Sequence, residues 1–406
     1  MTLRGYRARW IIDGTGGPLH PGVVLTDGEW IVDVVRRGAL PSDAQIVDLG
    51  DVALLPGLID AHVHLIWAGA EPNPEEIRAR EPVPMGTVRA VRHAADTLLG
   101  GTTTVRDIGC PHGVAFAIRD AVAAGIIPGP RILAAGAPLV MTGGHCHPMG
   151  VEVDGPYEAR KAARQQLKEG ADFLKMLATG GVYGLRHDEP WSPQLELDEL
   201  QAAVAEAHKA HRVAAIHAEG EEGIATAIEA GADTIEHGNQ LTRELAEKMA
   251  KRGIFLVPTL AWFFNVAEAT PGPTFNEEYI RKGRLMAEAS ARSIMLAKAA
   301  GVRIAAGTDT GAPLVPHNSV RREIELLVRL GLTPHEAIQS ATRVAAEALR
   351  LDQTIGTLEA GKYADMIAVG GDPTMDPGIL YDLRMVMKGG QIVMQSSGKV
   401  DQLALP

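Results

Sequence analysis

Five apolar, β-rich runs in this chain each carry a polar residue at or near their C-terminal end, and this recurrence constrains the fold more than any other feature. The first is Leu54-Leu55-Pro56-Gly57-Leu58-Ile59-Asp60-Ala61-His62-Val63-His64. The others are Asp172–Leu177, which contains Lys175, then Val213–His217, Thr234–His237 and Arg303–Asp309. Residues i and i+2 of a strand face the same side, so His62 and His64 can address one metal ion. In a closed parallel barrel, the C-terminal ends of the strands face the mouth where sites are built. Any one of these groups alone reads as a satisfied core histidine or a helix N-cap aspartate. Together, His62, His64, Lys175, His217, His237 and Asp309 read as ligands collected from five strands.

Strand and helix patterns alternate between these runs. One helical stripe, Leu200, Ala203, Val204 and Ala207, precedes the strand that ends at His217. Such alternation over about 300 residues predicts an α/β fold, a (β/α)8 TIM barrel. Both chain ends have a different texture. Arg9–Ile12, Val23–Leu25 and Trp30–Val35 are short, β-rich and separated by Gly and Pro, with a turn at Asp27-Gly28. Ala364–Val369, Met385–Lys388 and Gln391–Met394 repeat that texture, so the two ends are expected to build one small β-domain. The division expected is 1–56 for the N-terminal part of this β-sandwich, 57–355 for the barrel and 356–406 for the C-terminal part.

Composition narrows the function. At 406 residues and 46% apolar content the chain can bury one large core with a small appendage. A net charge of -11 without a Lys/Arg cluster argues against nucleic acid as a partner. The segment Met1–Arg7 lacks the apolar stretch of a secretory signal, and no run of about 18 apolar residues occurs, so no membrane partner and a cytoplasmic location are expected. Two cysteines cannot make a disulfide framework. Cys146 lies between His145 and His147, a spacing that invites a metal-site reading, but both it and Cys110 are read here as reduced structural thiols.

The order His-x-His, Lys, His, His, Asp resembles the binuclear amidohydrolase superfamily from about residue 5 to about residue 395. Four phrases resemble its imidazolonepropionase-like branch, which includes Xaa-Pro and Xaa-Arg dipeptidases: Met141-Thr142-Gly143-Gly144-His145, Thr179-Gly180-Gly181-Val182, Thr234-Ile235-Glu236-His237-Gly238-Asn239 and Gly361-Lys362-Tyr363-Ala364-Asp365-Met366. The resemblance implies a distorted barrel inserted into a β-sandwich made from both chain ends. It implies two divalent ions, zinc by default, with His62 and His64 on the more buried ion and His217 and His237 on the other. Lys175, as a carbamate, would bridge them, and Asp309 would complete the buried shell and carry the proton during attack by a metal-bridging hydroxide. An ammonium cannot ligate a cation, which is why Lys175 must first react with carbon dioxide. Deaminases of the superfamily generally use one metal and a Glu three residues after the third-site histidine. Here Glu219 lies two after His217 and Lys175 is present, which favours hydrolysis.

The expected activity is cleavage of a C–N amide bond in dipeptides or N-acyl amino acids. Aryl amides, ureas or carbamates are the alternative, and a cyclic-amide hydrolase, a deaminase or a non-catalytic homologue are weaker readings. Expected substrate contacts are His145, Tyr183, Arg186 and His187, with Tyr183 as an oxyanion donor and Arg186 as a carboxylate partner. Trp262, Phe263, Phe264, Phe275 and Tyr279 crowd one segment and read as a lid, an apolar subsite or an oligomer contact. A small-molecule substrate and a homo-oligomer are the partners expected.

Overall fold

The computed structural model describes residues 3–17, 19–182, 189–272, 275 and 277–396. Seven parallel strands, Leu58–Val63, Thr102–Asp107, Arg131–Ala134, Phe173–Leu177, Val213–Ala218, Thr234–His237 and Phe255–Val257, follow one another around a barrel. Within it, Lys175 lies beside Ala215 and His217 beside both Leu177 and Glu236, so the polar residues rise to similar heights on adjacent strands. A backbone bond from Asp172 N to Ala134 O (2.9 Å) joins the first three strands to the rest, and one from Ala135 N to Asp107 O (3.1 Å) extends the pairing of the second and third.

The eighth segment closes the ring without forming the continuous strand expected over Arg303–Asp309. It makes parallel bridges only at Leu256–Ile304 and Val63–Thr310. Asp309 has φ 59°, outside the extended region, so the chain turns where a ladder would continue. Gly307 is packed so closely that a Cβ there would stand 2.4 Å from Val257 Cγ1 and 2.9 Å from His62 Cβ. Side chains fasten the seam instead. The Asp60 carboxylate accepts from Thr308 Oγ1 at 2.7 Å and from Thr308 N at 3.1 Å.

Helices alternate with the strands as the periodicity predicts. Leu200, Ala203, Val204 and Ala207 are buried on the helix Leu197–Lys209, whose first turn is closed by a reciprocal Glu196/Glu199 capping box. The chain ends form the β-domain, built as one eight-stranded sheet that encloses its own core, including Tyr6, Val24, Leu54, Met366 and Met385. At its centre Ala53–Pro56 pairs in parallel with Arg4–Ile11 and antiparallel with Met366–Val369. Gly57 then leads directly into the first barrel strand, so the β-domain anchors the strand that carries His62. Among the described residues no helix is long and apolar enough to cross a membrane.

Candidate metal centre

All six expected ligands line one small cavity at the C-terminal ends of the strands. His62 Nε2 and His64 Nε2 lie 3.5 and 3.4 Å from Asp309 Oδ1. The His62 and His237 rings are 5.0 Å apart between centroids, and those of His217 and His237 are 4.6 Å apart. His62, His237 and Asp309 each place a ligand atom within 4.8 Å of the other two. That trio crosses the two-ion partition the resemblance implies. The geometry gathers the donors without dividing them into pairs.

Each imidazole has one ring nitrogen tied to the protein, which leaves the other for the cavity. His62 Nδ1 donates to Glu236 Oε2 at 2.9 Å and His64 Nδ1 to the Gly109 carbonyl at 2.9 Å. His237 Nδ1 bonds Thr259 Oγ1 at 2.7 Å, and His217 Nε2 donates to the Gly180 carbonyl at 2.8 Å. Such partners fix tautomer and ring orientation for ligation. Beneath His62, Arg106 crosses the barrel interior, donating to Glu236 Oε1 (2.7 Å), to the Ala61 carbonyl (2.6 Å) and to Thr234 Oγ1 (3.1 Å). Sequence reasoning missed this support. Its signal was the period-two pairs Thr104/Arg106 and Thr234/Glu236, charges inside apolar strands that must find each other once buried.

The electrostatics fit cations. Burial holds His62, His217 and His237 well below the usual histidine value and His64 down to about 3, so all four are neutral at neutral pH, as ligation requires. Burial lowers Lys175 to about 8, opposed by the nearby Glu236 carboxylate, and so favours the uncharged amine that can react with carbon dioxide. Asp309 is raised to about 7, again by burial, with Lys175 opposing. Among the described residues, Asp309 Oδ1 is buried with no hydrogen-bond partner. A carboxylate oxygen left this way is costly without a cation, so the donor set fits divalent ions.

Around the ligands, His145 faces His217 at 5.0 Å between ring centroids and lines the same cavity. Tyr183, Arg186 and His187 lie outside the described residues. Trp262 lines the cavity, Phe263 meets His237 edge-on at 5.8 Å, and both are buried, so these two form an apolar wall of the site and not a surface patch. That wall starts at Leu260 and Ala261, whose backbone N–H groups donate to the two oxygens of the buried Glu323 carboxyl at 3.0 and 2.7 Å. Trp67 stacks on His64 at 3.7 Å. Cys110 and Cys146 are both buried and form no disulfide.

The sequence profile of the amidohydrolase family matches residues 53–393. Ochratoxinase of Aspergillus niger is 31% identical over a 422-residue alignment that covers 94% of this chain and 85% of that protein. Imidazolonepropionase of Symbiobacterium thermophilum is 26% identical over 369 residues, covering 82% of this chain and 79% of its own. A crystal structure of a Xaa-Pro dipeptidase with methionine bound in its active site matches with a TM-score of 0.87 at 34% identity, over 96% of this chain and 99% of that one. The chain therefore belongs to the amidohydrolase family, in its imidazolonepropionase-like branch.

Proposed function

We propose that this protein is a metal-dependent hydrolase of C–N amide bonds, that it uses two divalent cations, zinc by default, and a carbamate on Lys175, and that it acts on dipeptides or N-acyl amino acids. One observation carries the reading: four neutral imidazoles, a buried lysine and a buried carboxylate converge on one cavity, each ring held by a second partner. His62, His64 and Asp309 would hold one cation, His217 and His237 the other, and the carboxylated Lys175 would span them. When bound, the cations would lower the pKa of water towards about 7 and polarise the scissile carbonyl.

The protein's own groups do the rest. Asp309, whose Oδ1 lies 3.5 and 3.4 Å from His62 and His64 Nε2, can accept a proton and return it to the departing amine nitrogen. His145 would meet the substrate carboxylate, with Arg186, His187 and Tyr183 proposed as further contacts. The Trp262 wall would take the apolar part of the substrate. Similarity to a Xaa-Pro dipeptidase supports the dipeptide reading. The buried Trp262–Phe263 pair, 4.5 Å between ring centroids, favours a second reading in which an aryl amide, urea or carbamate fills the same space. A homo-oligomer is part of the proposal and is tested by light scattering.

The test is metal content by elemental analysis together with intact mass before and after mild acid. About two metals per chain and an acid-labile carbon dioxide adduct are expected. Lys175→Ala should lose metal and recover part of its activity with a short carboxylic acid that fills the gap. Unchanged metal stoichiometry in that variant would remove the bridging role. Parallel panels of dipeptides and anilides separate the two substrate readings.

A further inference from the structure

We propose that Glu75, His145 and Cys146 form a third cation site, adjoining the donors at the barrel mouth and selective for a thiophilic divalent ion such as zinc, cadmium or cobalt. One ligand atom from each side chain lies within 4.8 Å of the other two. All three residues are buried, at 6%, 5% and 8% exposure. They come from separate parts of the fold: Glu75 from the first turn of the helix Pro74–Arg80, and His145 with Cys146 from the turn after the strand Leu139–Val140. Carboxylate, imidazole and thiol are the three donor types that zinc accepts, and three of them leave a fourth position for water.

Ligand chemistry separates this trio from the main centre. His62, His64, His217, His237, Lys175 and Asp309 offer only nitrogen and oxygen, whereas Cys146 offers sulfur, which a softer ion prefers. Binding converts the thiol to a thiolate, its proton leaving to solvent. Thiolate and Glu75 carboxylate together then balance a double positive charge. Cys110 is not involved, being buried elsewhere with its Sγ 3.6 Å from the Pro111 carbonyl.

His145 and Cys146 join the two sites, because both line the main cavity and His145 also faces His217. An ion held by Glu75, His145 and Cys146 would fix the ring that the proposed function gives to the substrate. Occupancy of the third site would therefore oppose substrate binding and make excess zinc a competitive inhibitor.

The test is titration of metal-free full-length protein with cobalt(II), followed by absorbance in the near ultraviolet. A sulfur-to-cobalt charge-transfer band equivalent to one thiolate per chain is expected, absent in Cys146→Ser and kept in Cys110→Ser. Glu75→Gln should weaken that band's apparent affinity by about tenfold or more. No band at millimolar cobalt, or a band unchanged by Cys146→Ser, would overturn the proposal and leave a hydrogen-bonded Glu–Cys–His cluster. Should Cys146→Ser not fold, alkylation of the unaltered protein with and without cadmium, read by peptide mass, decides instead. Cadmium should protect Cys146, and equal labelling refutes the site. Neither readout needs turnover, so failure here is distinct from failure of the hydrolase reading.

Discussion

Glu236→Gln is the most informative single perturbation, because its carboxylate hydrogen-bonds the metal centre through His62 and also acts by its charge on Lys175 and Asp309. The carboxylate bonds His62 Nδ1 through Oε2 (2.9 Å) and Arg106 through Oε1 (2.7 Å), with neither ion-pair partner reaching solvent. A glutamine of the same shape can turn its oxygen to one neighbour only. Facing Arg106, it presents an NH2 to His62 Nδ1, which forces the proton onto Nε2 and removes the lone pair aimed at the cavity. Losing such a supporting bond costs about 10- to 100-fold in metal affinity. The neutral amide also leaves Arg106 as a buried, poorly compensated charge, at a cost of about 3–5 kcal/mol. An unfolding entropy of about 2.1 cal/mol/K per residue over 406 residues is about 0.85 kcal/mol/K, so the melting temperature should fall by about 4–6 °C. Calorimetry of metal-free protein gives the stability and a competition titration with a chromophoric chelator gives the affinity. A double variant, Arg106→Met with Glu236→Leu, should recover most of the stability and none of the affinity. If Glu236→Gln melts within about 1 °C of the parent and binds metal within about twofold, the support assigned to Glu236 is wrong.

Asp309→Asn should keep the fold and most of the metal while turnover drops by about 10²- to 10⁴-fold, and full activity in a steady-state assay would end its role as proton carrier. At Gly181 a Cβ would stand 2.3 Å from His145 Cε1, so Gly181→Ala should push that ring off its rotamer, at about 0.5–1.5 kcal/mol, and raise KM about two- to tenfold with a smaller change in kcat. An unchanged KM would remove His145 from substrate binding. Burial raises Glu323 to about 8 against an ordinary 4.5, so the folded chain holds that proton where the unfolded chain has released it. Its stabilising contribution is complete below the unfolded value and is lost as pH rises through about 8. Glu323→Gln lacks that slope, so its melting temperature should gain on the parent's between about pH 5 and about pH 9, and a constant difference across that range would refute the assignment.

The six converging groups were legible because each sits near the end of a run of strand-like composition whose neighbours are apolar. Strand period and parallel register then carry Lys175, His217 and His237 to one mouth. The partners of the ring nitrogens were not legible: Gly109 O, Gly180 O and Thr259 Oγ1 come from loops, where carbonyl direction follows backbone torsion and leaves no pattern in residue type. Glu75 sits in a charged stretch, Glu71 to Arg80, that reads as a surface. Docking against the turn that carries Cys146 buries it. The aromatic segment was undecided for the same reason, since Glu323, far along the chain, fixes the start of the helix that carries Trp262. The last barrel segment looked like a strand because its composition is that of one. The positive φ of Asp309 and the tight seat of Gly307 are tertiary facts.

The central position of Ala53–Pro56 in the terminal sheet has a consequence for synthesis. One edge of that strand is covered only when Met366–Val369 arrives, about 310 residues later. At the usual 5–20 residues per second the ribosome needs about 15–60 s to deliver it. During that interval an apolar strand joined directly to the His62 segment has an open edge and can pair with other chains. Expression yield should therefore respond to chaperone supply and translation speed more than the stability of the finished barrel would suggest.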